Sequence, residues 1–382
     1  MAEEQCNMES MAIEPHHLFS GIYRGKRVLI TGDTGFKGSW LAIWLKLMGA
    51  DVYGYALPPK SDVENYSRCN LGTVIHHRDG DVRDRDALLG YFGEVQPEIA
   101  FHLAAQAIVL DSYDQPRDTF ETNLMGVVNF FEAVRATPSV MAAINITSDK
   151  CYQNNEWLWG YRENDPMGGN DPYSASKGCS ELITQSYLRS FFPAPGKCHI
   201  ASARAGNVIG GGDWAPYRIV PDFFRALAEN KTLLIRNPDA VRPWQHVLEP
   251  LSGYLLLAAR LFDDGSRFAG GWNFGPVETN TCAVRELIEK LISISGRGSY
   301  SVPPSEKAPH EAQLLKLDIS KANTLLKWRP VLSFRETVEF TASGYMDELT
   351  GNSNLYACRL AQLEQYIRLA ANHRIPWAGS LS

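Results

Sequence analysis

The sequence predicts an α/β fold in which a doubly wound parallel sheet carries a smaller, mostly C-terminal lobe. Short apolar runs alternate with helical patterns through the first half of the chain, as expected for parallel strands joined by crossover helices. Three glycines follow the first strand directly and open the next helix. After about residue 207 the alternation loosens into loop-rich segments and shorter helices. We therefore expect a main domain over residues 25–207. We expect residues 208–382 to form a lobe that supplies interleaved strands to the main sheet and carries the C-terminal helices.

Each predicted strand is a short apolar run, such as RVLIT, that suits full burial in a parallel sheet. Each predicted helix has apolar residues at helical spacing, as in SWLAIWLKLMGA, which ends at Gly49. The predicted strands lie at 27–31, 51–57, 74–84, 97–105, 142–148 and 198–210. The predicted helices lie at 39–49, 86–92, 119–135 and 173–191, and in the second lobe at 221–230, 247–262, 283–294, 317–330, 333–349 and 356–371.

Composition places the chain among ordinary globular proteins, since 45% of its 382 residues are hydrophobic and 21% are charged. The net charge of −6 gives no support for binding to nucleic acid or to a membrane surface. Seven cysteines without CxxC spacing favour reduced thiols in the cytoplasm over a disulfide framework or a metal site. We see no apolar run long enough to span a bilayer and no signal peptide, and we expect residues 1–24 to form a mobile, polar extension.

The stretch TGDTGFKG places Gly32, Gly35 and Gly38 between a strand and a helix. The first glycine permits a tight turn, the second lets the backbone approach a diphosphate, and the third lets the helix pack on the strand. The N–H groups of the helix N-terminus are then available to phosphate oxygens. The pattern predicts a bound dinucleotide, with a purely structural turn as the alternative.

The second strand indicates which dinucleotide is bound. An acidic residue at its end would bind a ribose 2′-hydroxyl, whereas an arginine would favour a 2′-phosphate. The matching stretch GYALPPK has neither residue, and the absence of the arginine favours NAD over NADP. Asp81 and Val82, which follow the third strand, are well placed to meet the adenine edge.

Tyr173 and Lys177 are four residues apart and share one face of a predicted helix. A lysine ammonium beside a phenol stabilises the phenolate, so we expect the pKa of Tyr173 to be lowered. Such a tyrosine can take a proton from a sugar hydroxyl while a hydride leaves for a nicotinamide. The pattern YxxxK alone is common and usually decorates a surface. Here it follows a glycine-rich turn, and the preceding strand ends at Ser148.

These motifs resemble the extended short-chain dehydrogenase/reductase superfamily of nucleotide-sugar enzymes, which has a Rossmann-type fold. Longer stretches, among them TGFKGSWL, NITSDKCYQNNEWLWGYREND, RAGNVIGGGDW, RIVPD, RPWQHVLEPLSGYLLLA and HEAQLLKLD, are similar to the CDP-glucose 4,6-dehydratases over residues 25–346. The resemblance implies NAD, a CDP-hexose substrate and a 4-keto-6-deoxy product. It also implies that Thr34, Phe36, Lys37, Leu103, Ala104 and Ala105 line the cofactor, and that Asn207, Arg242 and, more weakly, Arg236 hold the substrate diphosphate.

The stretch Ser148-Asp149-Lys150 has a use in such a dehydratase. Oxidation at C4 needs only Tyr173, Lys177 and Ser148, but removal of water across C5 and C6 needs a further acid and base. The resemblance implies Asp149 as the acid and Lys150 as a candidate base. The alternative for these residues is a solvated turn.

Two departures from the family pattern affect specificity. Asp33 stands in the glycine turn and would place negative charge near the diphosphate, and Leu110 and Asp111 stand where a basic residue is usual. The alternatives to a CDP-glucose dehydratase are a nucleotide-sugar epimerase, a dehydratase for another nucleotide-hexose, and a non-catalytic ligand-binding scaffold. As in relatives, the helices at 119–135 and 173–191 would pair in a homodimer or homotetramer.

Overall fold

A computed structural model describes residues 14–193, 196–277, 280–303 and 314–379. Most of the predicted N-terminal extension (residues 1–13) and most of the loop between 301 and 313 lie outside the described residues. In the part of the chain that is described, no helix has the length and apolar character needed to cross a membrane.

The main sheet has seven strands, all parallel, in the order β11-β6-β5-β4-β1-β2-β3. The chain reverses its direction of travel across the sheet between β1 and β4, and ligands of such folds bind outside the carboxyl ends of the strands at that point. The prediction of a doubly wound parallel sheet is confirmed. The described strands are β1 Arg27–Thr31, β2 Asp51–Ala56, β3 His76–Asp79, β4 Ile99–His102, β5 Ala142–Ile146, β6 His199–Arg204, β7 Val208–Ile209, β8 Leu233–Leu234, β9 Val241–Pro243, β10 Gln245–His246, β11 Gly270–Asn273, β12 Thr281–Ala283 and β13 Tyr300–Ser301.

Helices cover both faces of this sheet. Those that make the layers are α1 Phe36–Leu47, α3 Arg85–Val95, α6 Gly126–Ala136, α7 Pro172–Phe191, α9 Leu248–Asp264 and α12 Leu355–Asn372, and the shorter ones of the main domain are α2 Asn65–Arg68, α4 Val109–Asp114 and α5 Pro116–Phe120. One core packs α1, α9 and α12 against the sheet, and the other packs α3, α6 and α7 against its opposite face.

A third core belongs to the second lobe and lies between α8 Ile219–Ala228, α10 Val284–Ser295 and α11 Phe334–Leu349. Three two-stranded sheets, β7–β10, β9–β12 and β8–β13, accompany these helices. The strand β11 lies far beyond residue 207 in sequence and yet forms the edge of the main sheet beside β6.

The structure corrects three local expectations. Residues 14–24 are packed rather than mobile: the Phe19 ring stacks on Trp377 at 5.0 Å, and the Tyr23 hydroxyl donates to the Leu255 carbonyl at 2.5 Å. The helix predicted at 119–135 contains a π-helical turn, Glu121–Met125, between α5 and α6. The helix predicted at 317–330 shortens to a turn around Ala322–Leu326, because left-handed Lys327 ends it and Trp328 enters the core.

Candidate active site

The turn after β5 holds the first candidate catalytic group. Ser148 is the N-cap of a short 3-10 turn, and its hydroxyl accepts from the Lys150 amide at 3.3 Å and donates to the Asp149 carboxylate at 2.9 Å. Ser148 and Asp149 are buried, whereas Lys150 is half-buried. The turn thus fixes the carboxylate of Asp149 more firmly than the ammonium of Lys150.

Helix α7 holds the second group. It begins with Pro172 at its first position, and the Asp171 side chain caps it by accepting from the Ser174 amide at 2.9 Å. Tyr173 and Lys177 are both buried one helical turn apart, and the Tyr173 phenol hydrogen-bonds to Ser148. The structure therefore brings the tyrosine, the lysine and the turn after β5 together.

The phenol does not behave as predicted from the sequence. Burial raises the pKa of Tyr173 to about 12, against the opposing effects of the Ser148 hydrogen bond and the Arg218 guanidinium. Burial also lowers the pKa of Lys177 to about 8, and the carboxylate of Glu181 limits that shift. The expectation of a lowered Tyr173 pKa is wrong for this state, because desolvation outweighs the nearby charges.

A buried ion pair lies beneath this site. Arg204 and Glu181 are both fully buried, with 2.7 Å between the Nη2 and Oε2 atoms. The Glu181 carboxylate also accepts from the hydroxyls of Thr147 and Ser202. Because Glu181 is on α7, Arg204 and Ser202 on β6 and Thr147 after β5, this network ties the helix of Tyr173 to the turn of Ser148.

A glycine makes the space for the Asp149 carboxylate. A Cβ on Gly206 would lie 1.9 Å from the Oδ2 atom of Asp149, so no larger residue fits beside it without displacing the carboxylate. Gly206 precedes Asn207, which adopts a left-handed conformation with φ of 51°.

Cations from two other segments, Lys37 and Arg218, lie near these groups. Burial and the charge of Arg218 lower the pKa of Lys37 to about 8, and the carboxylates of Asp149 and Asp213 oppose this shift. The Lys37 ammonium also lies 6.0 Å from the ring centre of Tyr254. Arg218 is held by Asp213 at 2.8 Å and keeps 36% of its side chain exposed. Lys37 thus reaches from the glycine turn toward the catalytic groups.

The glycine turn fits a diphosphate. Gly32 has φ of +79°, and a Cβ there would lie 2.6 Å from the amide nitrogen of Ala104. A Cβ on Gly38 would lie 2.1 Å from the carbonyl oxygen of Gly32, whereas Gly35 is exposed at the N-cap of α1. Backbone without side chains therefore surrounds the N-terminus of α1, as close approach to a diphosphate requires.

The other candidate cofactor residues lie around this turn. The Thr34 hydroxyl donates to the Leu57 carbonyl at 3.0 Å, and Phe36 packs near Gly210. Leu103, Ala104 and Ala105 follow β4 directly, beside Gly32.

Asp81 and Val82 follow β3 but differ in exposure. Val82 is buried against Gly126, and its carbonyl accepts from Asn129 at 2.9 Å. The Asp81 carboxylate is held by Arg83 at 2.6 Å. Arg83 outweighs the effect of burial and lowers the pKa of Asp81. The Asp81 carboxylate is therefore already paired before it meets a ligand.

Asp33 has a partner on a neighbouring strand. Its side chain is fully buried against Gly54, and its Oδ2 atom lies 2.7 Å from the Nδ1 atom of His77 on β3. The carboxylate predicted in the glycine turn therefore has a histidine partner, which the sequence did not indicate. Leu110 and Asp111, the other departure, lie half-buried in α4.

The candidate substrate residues are less closely gathered. The Asn207 carbonyl accepts from the Gln245 amide at 3.2 Å, which places the segment containing Arg242 beside Asn207. Arg242 is half-buried on β9. Arg236 follows β8 and is exposed.

Comparison with known proteins decides the family. The family model described as GDP-mannose 4,6 dehydratase matches residues 29–341. This chain belongs to that family. A CDP-glucose 4,6-dehydratase from Salmonella typhimurium is 46% identical over 349 residues, which cover 90% of this chain and 97% of that protein. The predicted resemblance to CDP-glucose 4,6-dehydratases is confirmed.

Solved structures agree with this family. A dTDP-glucose 4,6-dehydratase from Streptomyces venezuelae with NAD bound is 25% identical, has a TM-score of 0.71, and is matched over 84% of this chain and 97% of that chain. A UDP-glucose 4-epimerase from Thermus thermophilus in complex with NAD is also 25% identical, with a TM-score of 0.73 over 84% of this chain and 99% of that chain. Dehydratases and epimerases of nucleotide sugars thus share the fold of this family member.

Reasoning from sequence missed several groups in this family member's candidate site. Arg218, Asp213, Glu181 and Arg204 were given no role, although RIVPD and GGGDW, which contain the first two, already carried the family resemblance. No sequence spacing indicates that Glu181 meets Arg204.

Among the described residues, no cluster of three or more His, Cys, Asp or Glu side chains is arranged to hold a metal ion.

Proposed function

We propose that this protein is an NAD-dependent 4,6-dehydratase that converts CDP-D-glucose to CDP-4-dehydro-6-deoxy-D-glucose and water. The observation that carries the proposal is that Ser148 hydrogen-bonds to both Tyr173 and Asp149. This contact joins the groups for oxidation to the groups for elimination. The oxidation groups are Tyr173, Lys177 and Ser148, and the elimination groups are Asp149 and Lys150. The identity of 46% to a CDP-glucose 4,6-dehydratase supports the choice of nucleotide and sugar.

NAD, when bound, accepts the hydride from C4 of the sugar and returns it to C6. Tyr173 takes the proton of the C4 hydroxyl. Its phenolate is disfavoured by burial, and the Ser148 hydrogen bond and the charge of Arg218 favour it. Glu181 helps Lys177 to keep its proton in the same buried region. The tyrosine is thus the proton acceptor of the first step, and Ser148 and Arg218 offset part of the cost that burial imposes on its phenolate.

Elimination follows once C4 is a ketone, because the carbonyl acidifies the proton on C5. Lys150 is the candidate base that removes this proton, and Asp149 gives a proton to the departing C6 hydroxyl, which leaves as water. When the hydride is delivered to C6, the protonated Lys150 returns its proton to C5 and so completes the 6-deoxy product. Asp149 is buried and fixed by Ser148, as a group that must meet one oxygen requires. Lys150 is half-buried, so it has room to exchange its proton with solvent.

The substrate diphosphate needs local cations, because the chain as a whole is acidic. Arg218 suits this role, since Asp213 orients its guanidinium while part of the side chain remains exposed near Tyr173. Arg242 and Asn207 lie on neighbouring segments and are the other candidates for the diphosphate site. The exposed Arg236 is a weaker candidate.

The decisive experiment incubates the purified protein with NAD and, separately, CDP-glucose, dTDP-glucose, UDP-glucose and GDP-mannose. We expect CDP-glucose alone to lose one water rapidly, measured by mass spectrometry of the quenched mixture. Conversion of a nucleotide-hexose without change of mass would support the epimerase instead. Faster dehydration of another nucleotide-hexose would refute the CDP specificity, and no turnover of any substrate would support a binding scaffold.

We also propose that the protein forms a homodimer or homotetramer in a reducing compartment such as the cytoplasm. Met125 and Leu182, on the helical segments at 121–136 and 172–191, expose 51% and 56% of their surface, as a symmetric helix interface requires. The described cysteines are free thiols, which suits a reducing compartment. Light scattering of the wild type and of Leu182→Glu tests the assembly, and a monomeric wild type would contradict it.

A further inference from the structure

The glycine turn of this protein contains a carboxylate at an unfavourable place. Asp33 lies between Gly32, whose backbone contacts Ala104, and Thr34, so it belongs to the loop that we propose for the NAD diphosphate. A buried negative charge a few ångströms from a bound diphosphate weakens binding strongly, because little solvent screens it. A sequence with aspartate here therefore needs a compensating group.

The structure provides one. Gly54 on β2 lacks the side chain that would fill this space: a Cβ there would lie 2.1 Å from the Asp33 Oδ2 atom. The Asp33 carboxylate occupies the gap and meets the Nδ1 atom of His77 at 2.7 Å. Its other oxygen is buried and makes no hydrogen bond to another described residue. His77 is consequently the group on which the Asp33 side chain depends.

The histidine is placed to carry a positive charge. Its Nε2 atom lies 3.1 Å from the Asp79 carboxylate, so its ring bridges two acidic groups. Burial opposes its charged form, but the hydrogen bonds and charges of Asp33 and Asp79 prevail and raise the pKa of His77. The phenol of Tyr66 on α2 packs on the His77 ring, and burial raises its pKa to about 12, so it stays neutral at ordinary pH. The cavity beside His77 is also lined by Tyr91 and by charged side chains, namely Arg27, His76, and Arg78, which pairs with Glu94 at 2.9 Å.

We propose that His77 is a positioning residue of the cofactor site, whose imidazolium holds and neutralises Asp33 so that the glycine turn can accept the diphosphate of NAD. The proposal rests on the proposed NAD-dependent function, but it concerns binding alone. It follows that NAD affinity falls as pH rises through the pKa of His77 in the folded protein, which lies above the ordinary histidine value of about 6.5.

Calorimetric titration of NAD into the full-length protein tests this without substrate. We expect His77→Ala to weaken NAD binding by about tenfold, because the Asp33 carboxylate loses its cationic partner. A tenfold change corresponds to an interaction that would shift a pKa by about one unit. The double variant Asp33→Asn/His77→Ala should bind within about threefold of the wild type, because the charge that needs compensation is gone. His76→Ala is the matched control, since His76 is 64% exposed and pairs with Asp51 on the opposite side of β3; it should bind as the wild type does.

Three results would overturn the proposal. These are normal NAD binding by His77→Ala, binding by the double variant as weak as that of His77→Ala, and retention of the wild-type pH dependence by Asp33→Asn alone. The last measurement also decides the matter if His77→Ala does not fold. A wild type that binds no NAD would refute the cofactor assignment as well. A wild type that binds NAD but fails to dehydrate CDP-glucose would refute only the proposed reaction.

Discussion

Glu249, on α9, is a buried carboxylate that makes stability depend on pH. Its oxygens accept from the Val331 amide at 3.0 Å, the Leu332 amide at 2.6 Å and the Tyr366 hydroxyl at 2.9 Å, which joins α9 to the segment before α11 and to α12. Burial nevertheless raises the pKa of Glu249 to about 7. A carboxyl whose pKa is higher in the folded state stabilises the protein at low pH and loses that contribution as pH rises through the folded value.

The magnitude follows from the two pKa values. In the unfolded chain the pKa of a glutamate is about 4.3, so a folded value of about 7 is worth about 3 kcal/mol between pH 4 and pH 8. Between about pH 5.5 and pH 8 the loss is about 2 kcal/mol. Glu249→Gln removes the titration, so its free energy of unfolding relative to the wild type should rise by about 2 kcal/mol over this range.

Urea denaturation at several pH values measures this difference. The offset at any one pH includes the altered hydrogen bonds of the amide, so the slope with pH is the quantity to compare. Glu364→Gln, on the exposed face of α12, controls for the loss of one charge. If the wild-type and Glu249→Gln curves run parallel from pH 5.5 to pH 8, the carboxylate is ionised throughout, and the reasoning from burial is wrong.

Further predictions concern the reaction itself. Asp149→Asn should still oxidise C4 and reduce the cofactor, but elimination should slow by about 10²–10⁴-fold. Stopped-flow absorbance follows the reduced cofactor, and mass spectrometry of quenched samples detects the keto-sugar that keeps its C6 oxygen. Dehydration at the native rate would show that Asp149 is only a turn residue. Tyr173→Phe should abolish oxidation while calorimetry shows unchanged NAD binding, and near-normal turnover would contradict its role. Gly206→Ala should slow dehydration by at least about tenfold by displacing Asp149, whereas Gly90→Ala, with open space around its Cβ, should leave turnover unchanged. NAD should bind more tightly than NADP in calorimetric titration, and the reverse order would refute the reading of GYALPPK.

The sequence was informative where function depends on fixed spacing along one segment. Gly32, Gly35 and Gly38 lie on one turn, and Tyr173 and Lys177 lie on one helix. Their relative positions can therefore be predicted without knowledge of the fold. The doubly wound parallel sheet follows from a similar regularity, because alternating strands and helices restrict the sheet to few topologies.

Contacts between distant segments were not predictable in this way. Glu181 and Arg204 belong to α7 and β6, and Asp33 and His77 to the turn after β1 and to β3, so only packing brings each pair together. The anchoring of Phe19 on Trp377 joins the two ends of the chain and has no local signal in a polar N-terminal stretch. The raised pKa of Tyr173 likewise depends on burial, which sequence spacing does not report.

The charges around the candidate site explain how an acidic protein can select an anionic ligand. Lys37, Lys177 and Arg218 converge near Tyr173, and they disfavour one another's charged forms: Arg218 and Lys177 both lower the pKa of Lys37. Burial is the main cause of the lowered Lys37 pKa of about 8, the cations add to it, and Asp149 and Asp213 oppose it. A diphosphate that reaches Arg218 adds the missing negative charge and thereby favours the protonated form of Lys37. The net charge of −6 is therefore no obstacle to binding, because the relevant field is that of a buried cluster of cations whose repulsion a bound diphosphate relieves.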